Sequence, residues 1–304
     1  LKKAAQDESI KKVVIVGGGY IGIETADAFL NLGKEVTIIE FANRILMPFD
    51  EEIVKIALEE LMHHGVNIRT GEKVVGLKGT DRVRTVVTDQ GEYEADLVVL
   101  SIGVRPATDF LRDTGINMAP NGAIIVDREM RTSLPDVWAA GDCALVYHKQ
   151  FKDNVYLPLG TVANKCGRIA GANILGAHQK FTGALGSTAI KICNIEMGRT
   201  GFSENDAKKL GMNYKTVIVN AYDHPGYYPG QTPITIKLIY ETGTKKLLGA
   251  QAAGQKGAVL RIDSFAIAIH NQMTTDELGM LDLVYAPPFA GVWDPIHIAC
   301  NAAK

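Results

Sequence analysis

The sequence has 304 residues, of which 46% are hydrophobic and 22% are charged, and its formal net charge is −2. These values are typical of a globular protein with a sizeable core, and the near-neutral charge argues against binding to nucleic acid or to an anionic membrane. No apolar run reaches the roughly 18 residues that a transmembrane helix needs, and residues 1–10 lack the apolar centre of a signal peptide. We therefore expect a cytoplasmic protein of about two domains.

Residues 12–40 have the pattern of a strand, a helix and a second strand. Four β-branched residues at 13–16 run into three consecutive glycines, a helical stretch follows from Tyr20 to about Leu32, and a second strand spans 35–40. The short spacing requires a crossover helix between the strands, so the two strands form a parallel pair.

The turn between the first strand and the helix fits the GxGxxG pattern in the context that this pattern requires. There the first glycine permits a tight turn, the second lets a pyrophosphate approach the backbone, and the third lets the helix pack closely on the sheet. The residues that we expect to contact a dinucleotide here are Gly17, Gly19, Tyr20, Ile21 and Gly22.

Glu40 ends the second strand, where a carboxylate can bind the ribose 2′-hydroxyl. Its charge would repel a 2′-phosphate, so the sequence favours NAD as the cofactor over NADP. Arg44 is close enough in sequence to weaken that preference.

The predicted pattern of strands and helices changes near residue 118 and again near residue 183. A helix is predicted near 50–64, a strand at 66–69 and short strands over 72–100, and the first domain is expected to close near residue 118. Residues 119–180, with a predicted strand at 123–126 and a helix near 161–175, offer too little for an independent core. From about residue 183, strands are predicted near 188–193, 214–220, 233–240 and 246–253, with helices near 203–210 and 257–271, which indicates an α+β domain.

The four cysteines are far apart in the sequence, with no CxxC pair and no zinc-ligand spacing. They are Cys143, Cys166, Cys193 and Cys300. We expect free, mostly buried thiols of the kind that a reducing cytosol maintains.

Three segments together resemble the FAD-dependent pyridine nucleotide-disulfide oxidoreductases: VVIVGGGYIGIETA at 13–26, SIGVRPAT at 101–108 and TSLPDVWAAGDCA at 132–144. The resemblance implies an α/β fold with a Rossmann-like NAD(P)H-binding domain at 10–118, the C-terminal part of a FAD-binding domain at 119–180 and a C-terminal α+β dimerisation domain at 183–304. It also implies that a first FAD segment, which carries the redox-active cysteine, is absent from these residues, so that the fragment alone would be inactive.

The resemblance assigns further cofactor contacts. In the family, the aspartate of the Gly-Asp pair binds the ribityl–phosphate linker of the flavin, and Gly141 and Asp142 match that pair. The nicotinamide of the dinucleotide is expected near Gly103. FAD and NAD are therefore the implied cofactors, with NADP less favoured, and the implied assembly is a homodimer.

Two C-terminal segments, HPGYYPG at 224–230 and DLVYAPPFAGVWDP at 282–295, resemble the coenzyme A-disulfide reductases and their NADH oxidase relatives, and LRID at 260–263 fits the same branch. The resemblance implies that Tyr227 and Tyr285 are catalytic, as phenols that donate a hydrogen bond or a proton to a leaving thiolate. The alternative is that the two tyrosines only pack an interface. The expected substrate-binding residues are Asn164, Arg168, Tyr227 and Trp293.

One departure from the branch bears on the substrate. Several such reductases place a basic residue before the aspartate of the last segment, where this sequence has Trp293. An indole cannot pair with a phosphate, although it can stack on adenine. His297, Lys165 and Arg168 remain candidate cationic contacts for coenzyme A.

Three functions are therefore open. The first is transfer of hydride from NAD(P)H through FAD to a small disulfide or persulfide, with coenzyme A disulfide favoured. The second, in the same class, is an NADH oxidase or peroxidase that reduces oxygen or peroxide. The third is a free-standing NAD-binding or dimerisation module without catalysis.

Overall fold

The computed structural model describes all residues, 1–304, and contains two compact units. The first unit joins Leu1–Gly103 to Thr188–Lys304, and the second is Val104–Ser187. The unit boundary at Gly103 lies before the domain boundary that the sequence suggested near 118. The division into three functional segments stays a prediction, whereas the α/β fold with a C-terminal dimerisation domain is confirmed.

The N-terminal part of the first unit contains two sheets. Its elements are α1 (Lys2–Ala5), β1 (Lys12–Val16), α2 (Tyr20–Leu30), β2 (Glu35–Glu40), α3 (Glu51–His63), β3 (Asn67–Thr70), β4 (Val74–Lys78), β5 (Thr85–Thr88), β6 (Glu92–Glu94) and β7 (Leu97–Leu100). A parallel sheet has the strand order β3-β2-β1-β7, and β4, β5 and β6 form an antiparallel sheet. The predicted parallel pair is confirmed, with Val14 opposite Thr37 of β2.

The core of this part follows from the hydrophobic pattern. β1 is buried over its three central residues, as expected for a strand between two parallel neighbours. α2 and α3 each bury one apolar face, and α3 buries Ile53, Val54, Ala57 and Leu61 at helical spacing. The helix ends before Gly65, whose φ is +80°, as the sequence indicates.

The second unit, Val104–Ser187, contains β8 (Val146–His148), β9 (Asp153–Val155) and α4 (Gly160–Ile174). The predicted helix near 161–175 is confirmed, but the predicted strand at 123–126 is wrong. In that segment only Ile124 forms β-bridges, one to Met118 and one to Ala144. The backbone groups of Ala123 and Ile125 bond to loop residues and not to a strand.

The expectation that residues 119–180 cannot build a core is also wrong. Ten buried hydrophobic residues of this unit form one cluster, to which α4 contributes three. They are Ile124, Val126, Met130, Ala144, Val146, Val162, Cys166, Ala170, Phe181 and Ala184. The cluster is assembled by loops and by one helix face, which leave little periodicity in the sequence.

The C-terminal part of the first unit is an antiparallel sheet with helices. Its elements are β10 (Thr188–Ile192), β11 (Ile195–Gly201), α5 (Glu204–Lys209), β12 (Tyr214–Tyr222), β13 (Pro233–Glu241), β14 (Leu247–Gly254), α6 (Ala258–His270), α7 (Thr275–Leu278) and α8 (Pro295–Asn301). The strand order is β10-β11-β14-β13-β12. The sequence missed β11, which carries two glycines, and the short α7 and α8.

The N-terminal and C-terminal parts of the first unit share one core and one ion cluster. Ile190, Met197 and Ala253 of the C-terminal part lie in the same hydrophobic cluster as β1, α2 and α3. Lys237 of β13 is fully buried and pairs with Asp50, Glu52 and Glu204. No helix of the chain is both long and apolar enough to cross a bilayer.

Candidate functional site

The glycine turn between β1 and α2 has the geometry of a phosphate cradle. Gly17 has a φ of +107°, and a Cβ there would lie 2.4 Å from the carbonyl oxygen of Ser101. A Cβ on Gly22 would lie 2.0 Å from the carbonyl oxygen of Gly17. Side chains at either position would therefore break the turn.

The third glycine differs from the other two. Gly19 is the N-cap of α2, no side chain caps this helix end, and a Cβ on Gly19 would meet nothing within 4 Å. The first N–H groups of α2 are thus available at an open surface, where the helix dipole favours an anion. These residues fit a dinucleotide pyrophosphate.

Glu40 lies at the carboxyl end of β2 and closes one side of the turn. Its Oε2 accepts a hydrogen bond from the Gly18 N–H at 2.6 Å, and its Oε1 accepts one from the Ala42 N–H at 2.7 Å. A carboxylate has about four lone-pair positions, so both oxygens retain acceptor capacity for a ribose hydroxyl. The ribose contact stays a prediction.

Tyr20 and Ile21 take different positions at the start of α2. The Tyr20 hydroxyl bonds Thr188 Oγ1 at 2.5 Å, and its ring packs against Phe49. Burial raises the pKa of Tyr20. Tyr20 therefore offers a ligand its backbone N–H, since its side chain is committed to the packing between α2 and β10. The Ile21 side chain is exposed.

The Arg44 side chain is bonded to its own loop. Its guanidinium donates hydrogen bonds to the backbone carbonyls of Phe49 and Met47, the latter at 3.2 Å. Two of its five N–H donors are thus bonded to the chain itself, which reduces what Arg44 can offer to a 2′-phosphate.

The sequence missed Ser101, which locks the turn from the neighbouring strand. Its Oγ donates to the carbonyl oxygens of Val16 and Gly17, each at 3.0 Å. The available signal was a small polar residue directly after the buried strand β7, at the carboxyl edge of the parallel sheet. Gly103, two residues later, has a φ of +98° and open space at its Cβ position.

The two predicted catalytic tyrosines lie together. Tyr227, in the loop between β12 and β13, and Tyr285, in the segment before α8, have hydroxyl oxygens 2.9 Å apart. Both side chains are exposed, at 72% and 48%. The hydrogen bond with Tyr285 raises the pKa of Tyr227, so the Tyr227 phenol stays protonated at neutral pH.

Tyr228, next to Tyr227 in the sequence, packs within the loop instead of projecting from it. Its ring packs edge-on against His224 with ring centroids 5.5 Å apart, and its carbonyl lies 3.3 Å from His224 Nε2. Tyr228 thus holds the loop, and Tyr227 is left to project from it.

A buried ion pair ties the two tyrosine loops to one helix, and the sequence did not reveal it. Arg261 of α6 bonds both carboxylate oxygens of Asp294, with Nη2 2.8 Å from Oδ2. The same guanidinium donates to the carbonyl oxygen of Asp223 at 3.0 Å. Asp223 begins the loop of Tyr227, and Asp294 follows the segment of Tyr285. A fork-shaped guanidinium can bond the Asp294 carboxylate through two nitrogens and the Asp223 carbonyl at the same time.

Trp293 and His297 lie beside this ion pair, but only Trp293 is exposed to solvent and could contact a ligand. Trp293 is 56% exposed and meets the His297 ring edge-on. His297 is buried, its Nδ1 accepts from the Asp294 N–H, and its Nε2 lies 2.8 Å from the Leu281 carbonyl oxygen. Both ring nitrogens are therefore engaged by backbone groups. His297 thus has no free ring nitrogen for a phosphate, and the structure gives this candidate from the sequence no support.

The second unit carries the remaining predicted contacts. Asp142 is exposed in the turn that follows Gly141, whose φ is +92°. Asn164 and Arg168 are both exposed, and they share one face of α4 because they are four residues apart. Burial raises the pKa of Tyr156, and the nearby charge of Asp142 raises it further. The exposed carboxylate of Asp142 fits a hydroxyl-bearing linker of a flavin, and the roles of all four residues stay predictions.

All four cysteines are free. Burial raises the pKa of the Cys166 thiol to about 11 and of the Cys193 and Cys300 thiols to about 12. Such thiols are protonated at neutral pH and are poor nucleophiles. None of these three is suited to attack a disulfide.

Comparison with known proteins matches both parts of the chain. The family model for pyridine nucleotide-disulphide oxidoreductase matches residues 1–167, and the model for the dimerisation domain of that family matches residues 187–295. The NAD(P)H sulfur oxidoreductase (CoA-dependent) of Pyrococcus abyssi is 42% identical over 305 residues, covering 100% of this chain and 68% of that protein.

Two solved structures are similar over nearly the whole chain. The NAD-dependent persulfide reductase from A. fulgidus has a TM-score of 0.94 and 36% identity, covering 98% of this chain and 56% of that one. The water-forming NADH oxidase from Lactobacillus brevis, solved with NADH, has a TM-score of 0.93 and 32% identity, covering 99% and 66%. The chain thus spans between about half and two thirds of the length of these relatives.

Proposed function

Because the chain belongs to the pyridine nucleotide-disulphide oxidoreductase family, we propose that it serves an NAD(P)H-dependent flavoenzyme that reduces a sulfur–sulfur bond of a small molecule. The favoured acceptors are coenzyme A disulfide and coenzyme A persulfide. The observation that carries the proposal is the exposed pair of tyrosine hydroxyls, 2.9 Å apart, on two loops held by one arginine.

The tyrosine pair is suited to donating the proton that the leaving thiolate needs. The overall reaction takes two electrons and a proton from NAD(P)H and a second proton from solvent, and it converts one disulfide into two thiols. A leaving thiolate needs a hydrogen-bond donor or a proton. The Tyr227 phenol is protonated at neutral pH, and Tyr285 can return a proton to it along their hydrogen bond.

The glycine turn and Glu40 suit the nucleotide. The open N-terminus of α2 holds the pyrophosphate, and the Glu40 carboxylate accepts from a ribose hydroxyl while it anchors the turn. NADH is favoured over NADPH because a 2′-phosphate would meet this carboxylate, and two of the Arg44 donors are bonded to the backbone.

FAD supplies the redox centre when bound, and Asp142 is the residue of this chain that we expect to hold its linker. The exposed face of α4 with Asn164 and Arg168 then offers polar contacts to the acceptor. Trp293, exposed beside the tyrosine loops, offers an aromatic face to an adenine. The match of residues 187–295 to a dimerisation domain supports a homodimer.

A second candidate is reduction of oxygen in place of a disulfide. The likeness to the water-forming NADH oxidase favours it. So does Trp293, because a neutral indole stands where a cationic side chain would bind the phosphate of coenzyme A.

The test is a comparison of two half-reactions in the flavin-containing enzyme. Tyr227→Phe should leave the rate of flavin reduction by NADH unchanged, because that step does not need the phenol. It should lower the rate of disulfide reduction by about 10²-fold, which is the low end of the rate enhancement that a positioned proton donor provides. Tyr228→Phe is the matched control, since the Tyr228 hydroxyl has no part in the pair. Equal disulfide rates in all three proteins would contradict the proposal.

A further inference from the structure

A cluster of potential metal ligands lies away from the tyrosine loops. Glu60 is on α3, His64 follows the last residue of that helix, and Cys193 is in the turn between β10 and β11. One ligand atom of each lies within 4.8 Å of the other two. No step of the proposed reaction uses any of these three residues.

The cluster is built by backbone and side-chain hydrogen bonds. Cys193 and Asn194 form the two-residue turn between Ile192 and Ile195, the last paired residues of β10 and β11. The Asn194 N–H donates to Glu60 Oε1 at 2.9 Å, and the Asn194 side-chain amide lies 2.9 Å from His64 Nε2. The hairpin turn is thereby held against the end of α3.

A fourth acidic group adjoins the thiol. Asp27 of α2 accepts a hydrogen bond from the Cys193 N–H at 3.0 Å, and its carboxylate also accepts from the thiol. Asp27 lies about 10 Å along α2 from Tyr20, so it is well removed from the glycine turn.

The charge around the cluster favours a cation. Two carboxylates and a thiol lie together, and Glu60 Oε1 lies 3.0 Å from His64 Nε2 instead of pairing with a lysine or an arginine. The nearest ammonium, on Lys191, donates to the Cys193 carbonyl oxygen at 2.6 Å. A divalent ion bound here would neutralise the two carboxylates.

We propose that Glu60, His64 and Cys193 form a site for Zn²⁺ or a similar borderline-soft divalent cation, with Asp27 as the fourth ligand. Carboxylate, imidazole and thiolate together are a donor set that zinc accepts in tetrahedral geometry. With bonds of about 2.0–2.3 Å, the ligand atoms of such a site lie about 3.3–3.8 Å apart. His64 Nε2 and Glu60 Oε1 already lie 3.0 Å apart, so only the longer ligand pairs, of up to 4.8 Å, must close by about 1 Å. The His64 side chain is 34% exposed and has room to rotate.

The site would link α2, α3 and the β10–β11 hairpin. It would thus brace the parallel sheet against the antiparallel sheet at a second place, apart from the Lys237 ion cluster. Each metal ion bound should raise the midpoint of thermal unfolding, because the ligands come together only in the folded chain.

The test is calorimetric titration of the chelator-treated, flavin-containing protein with ZnCl₂. We expect one ion per chain that is lost in Cys193→Ser and bound at least about 10-fold more weakly in His64→Gln, since each removes a ligand. His63→Gln and Glu59→Gln are matched controls on the same helix and should bind as the parent does.

Alkylation of Cys193, followed by peptide mass spectrometry, gives an independent measure that needs no variant. Zn²⁺ should slow that alkylation at least about 10-fold, since a metal-bound thiolate is shielded. Stoichiometric binding that survives Cys193→Ser, absence of binding by the parent protein, or alkylation that ignores Zn²⁺ would each overturn the proposal. If Cys193→Ser fails to fold, His64→Gln and the alkylation rate decide the question.

Discussion

Lys237→Met should destabilise the first unit more than any other single polar substitution in it. The Lys237 ammonium is 2.6 Å from Glu204, 2.8 Å from Glu52 and 3.3 Å from Asp50. The side chain is 1% exposed, so its charge has no route to water. Methionine fills a similar volume, and the substitution therefore removes the charge without adding a large cavity.

The size of the effect depends on what becomes of the three carboxylates. The side chains of Glu52 and Glu204 are 47% and 38% exposed and can turn toward water. Asp50 is only 6% exposed and stays buried without a cation. Breaking a buried pair costs about 3–5 kcal/mol. Because one of three carboxylates is trapped, we expect about 3 kcal/mol, the lower end of that range.

Urea unfolding of the parent, Lys237→Met, Asp50→Asn and the double variant measures this coupling. Asp50→Asn should cost less in the Lys237→Met background than alone, because the trapped charge is already uncompensated there. The penalty of Lys237→Met should also shrink as pH falls. Burial raises the pKa of Asp50 and Lys237 opposes that rise, so without Lys237 the folded chain takes up the proton more readily. A loss below about 1 kcal/mol, or additive costs in the double variant, would refute the reasoning.

Other predictions concern the nucleotide turn and the tyrosine pair. Glu40→Gln should raise the KM for NADH about 10-fold and lower the preference for NADH over NADPH, because an amide cannot accept from both backbone N–H groups; steady-state kinetics with each nucleotide measures this. Gly19→Ala should weaken NADH binding with unchanged stability, whereas Gly22→Ala should lower stability by about 1–3 kcal/mol, as calorimetry and urea unfolding will reveal. In Tyr285→Phe, the alkaline fall in disulfide reduction should move to lower pH than in the parent, because the bond that raises the pKa of Tyr227 above the ordinary 10.0 is lost. An unchanged pH profile in that variant would count against a working phenol pair.

The sequence predicted best where local patterns also determine the structure. A run of β-branched residues, three glycines and an apolar helix face specify the β1–α2–β2 unit, and Glu40 lies where the pattern placed it. Hydrophobic periodicity likewise predicted α3 and α6 within two residues at each end.

The missed features depend on contacts between distant parts of the chain. No local signal joins Lys237 to Asp50, or Arg261 to Asp223 and Asp294. The core of the second unit escaped prediction for the same reason, since loops supply most of it. Nor does the sequence reveal the backbone groups that engage both ring nitrogens of His297.

The most direct test of the proposed activity is to compare acceptors in one flavin-containing preparation with NADH as the donor. Initial rates of NADH oxidation should be measured without oxygen on coenzyme A disulfide and on coenzyme A persulfide, and in air without either acceptor. We predict that kcat/KM for a sulfur acceptor exceeds that for oxygen, and that Tyr227→Phe removes the difference. Rapid oxygen consumption with no sulfur-dependent rate would contradict the account and would assign the chain to the oxidase function.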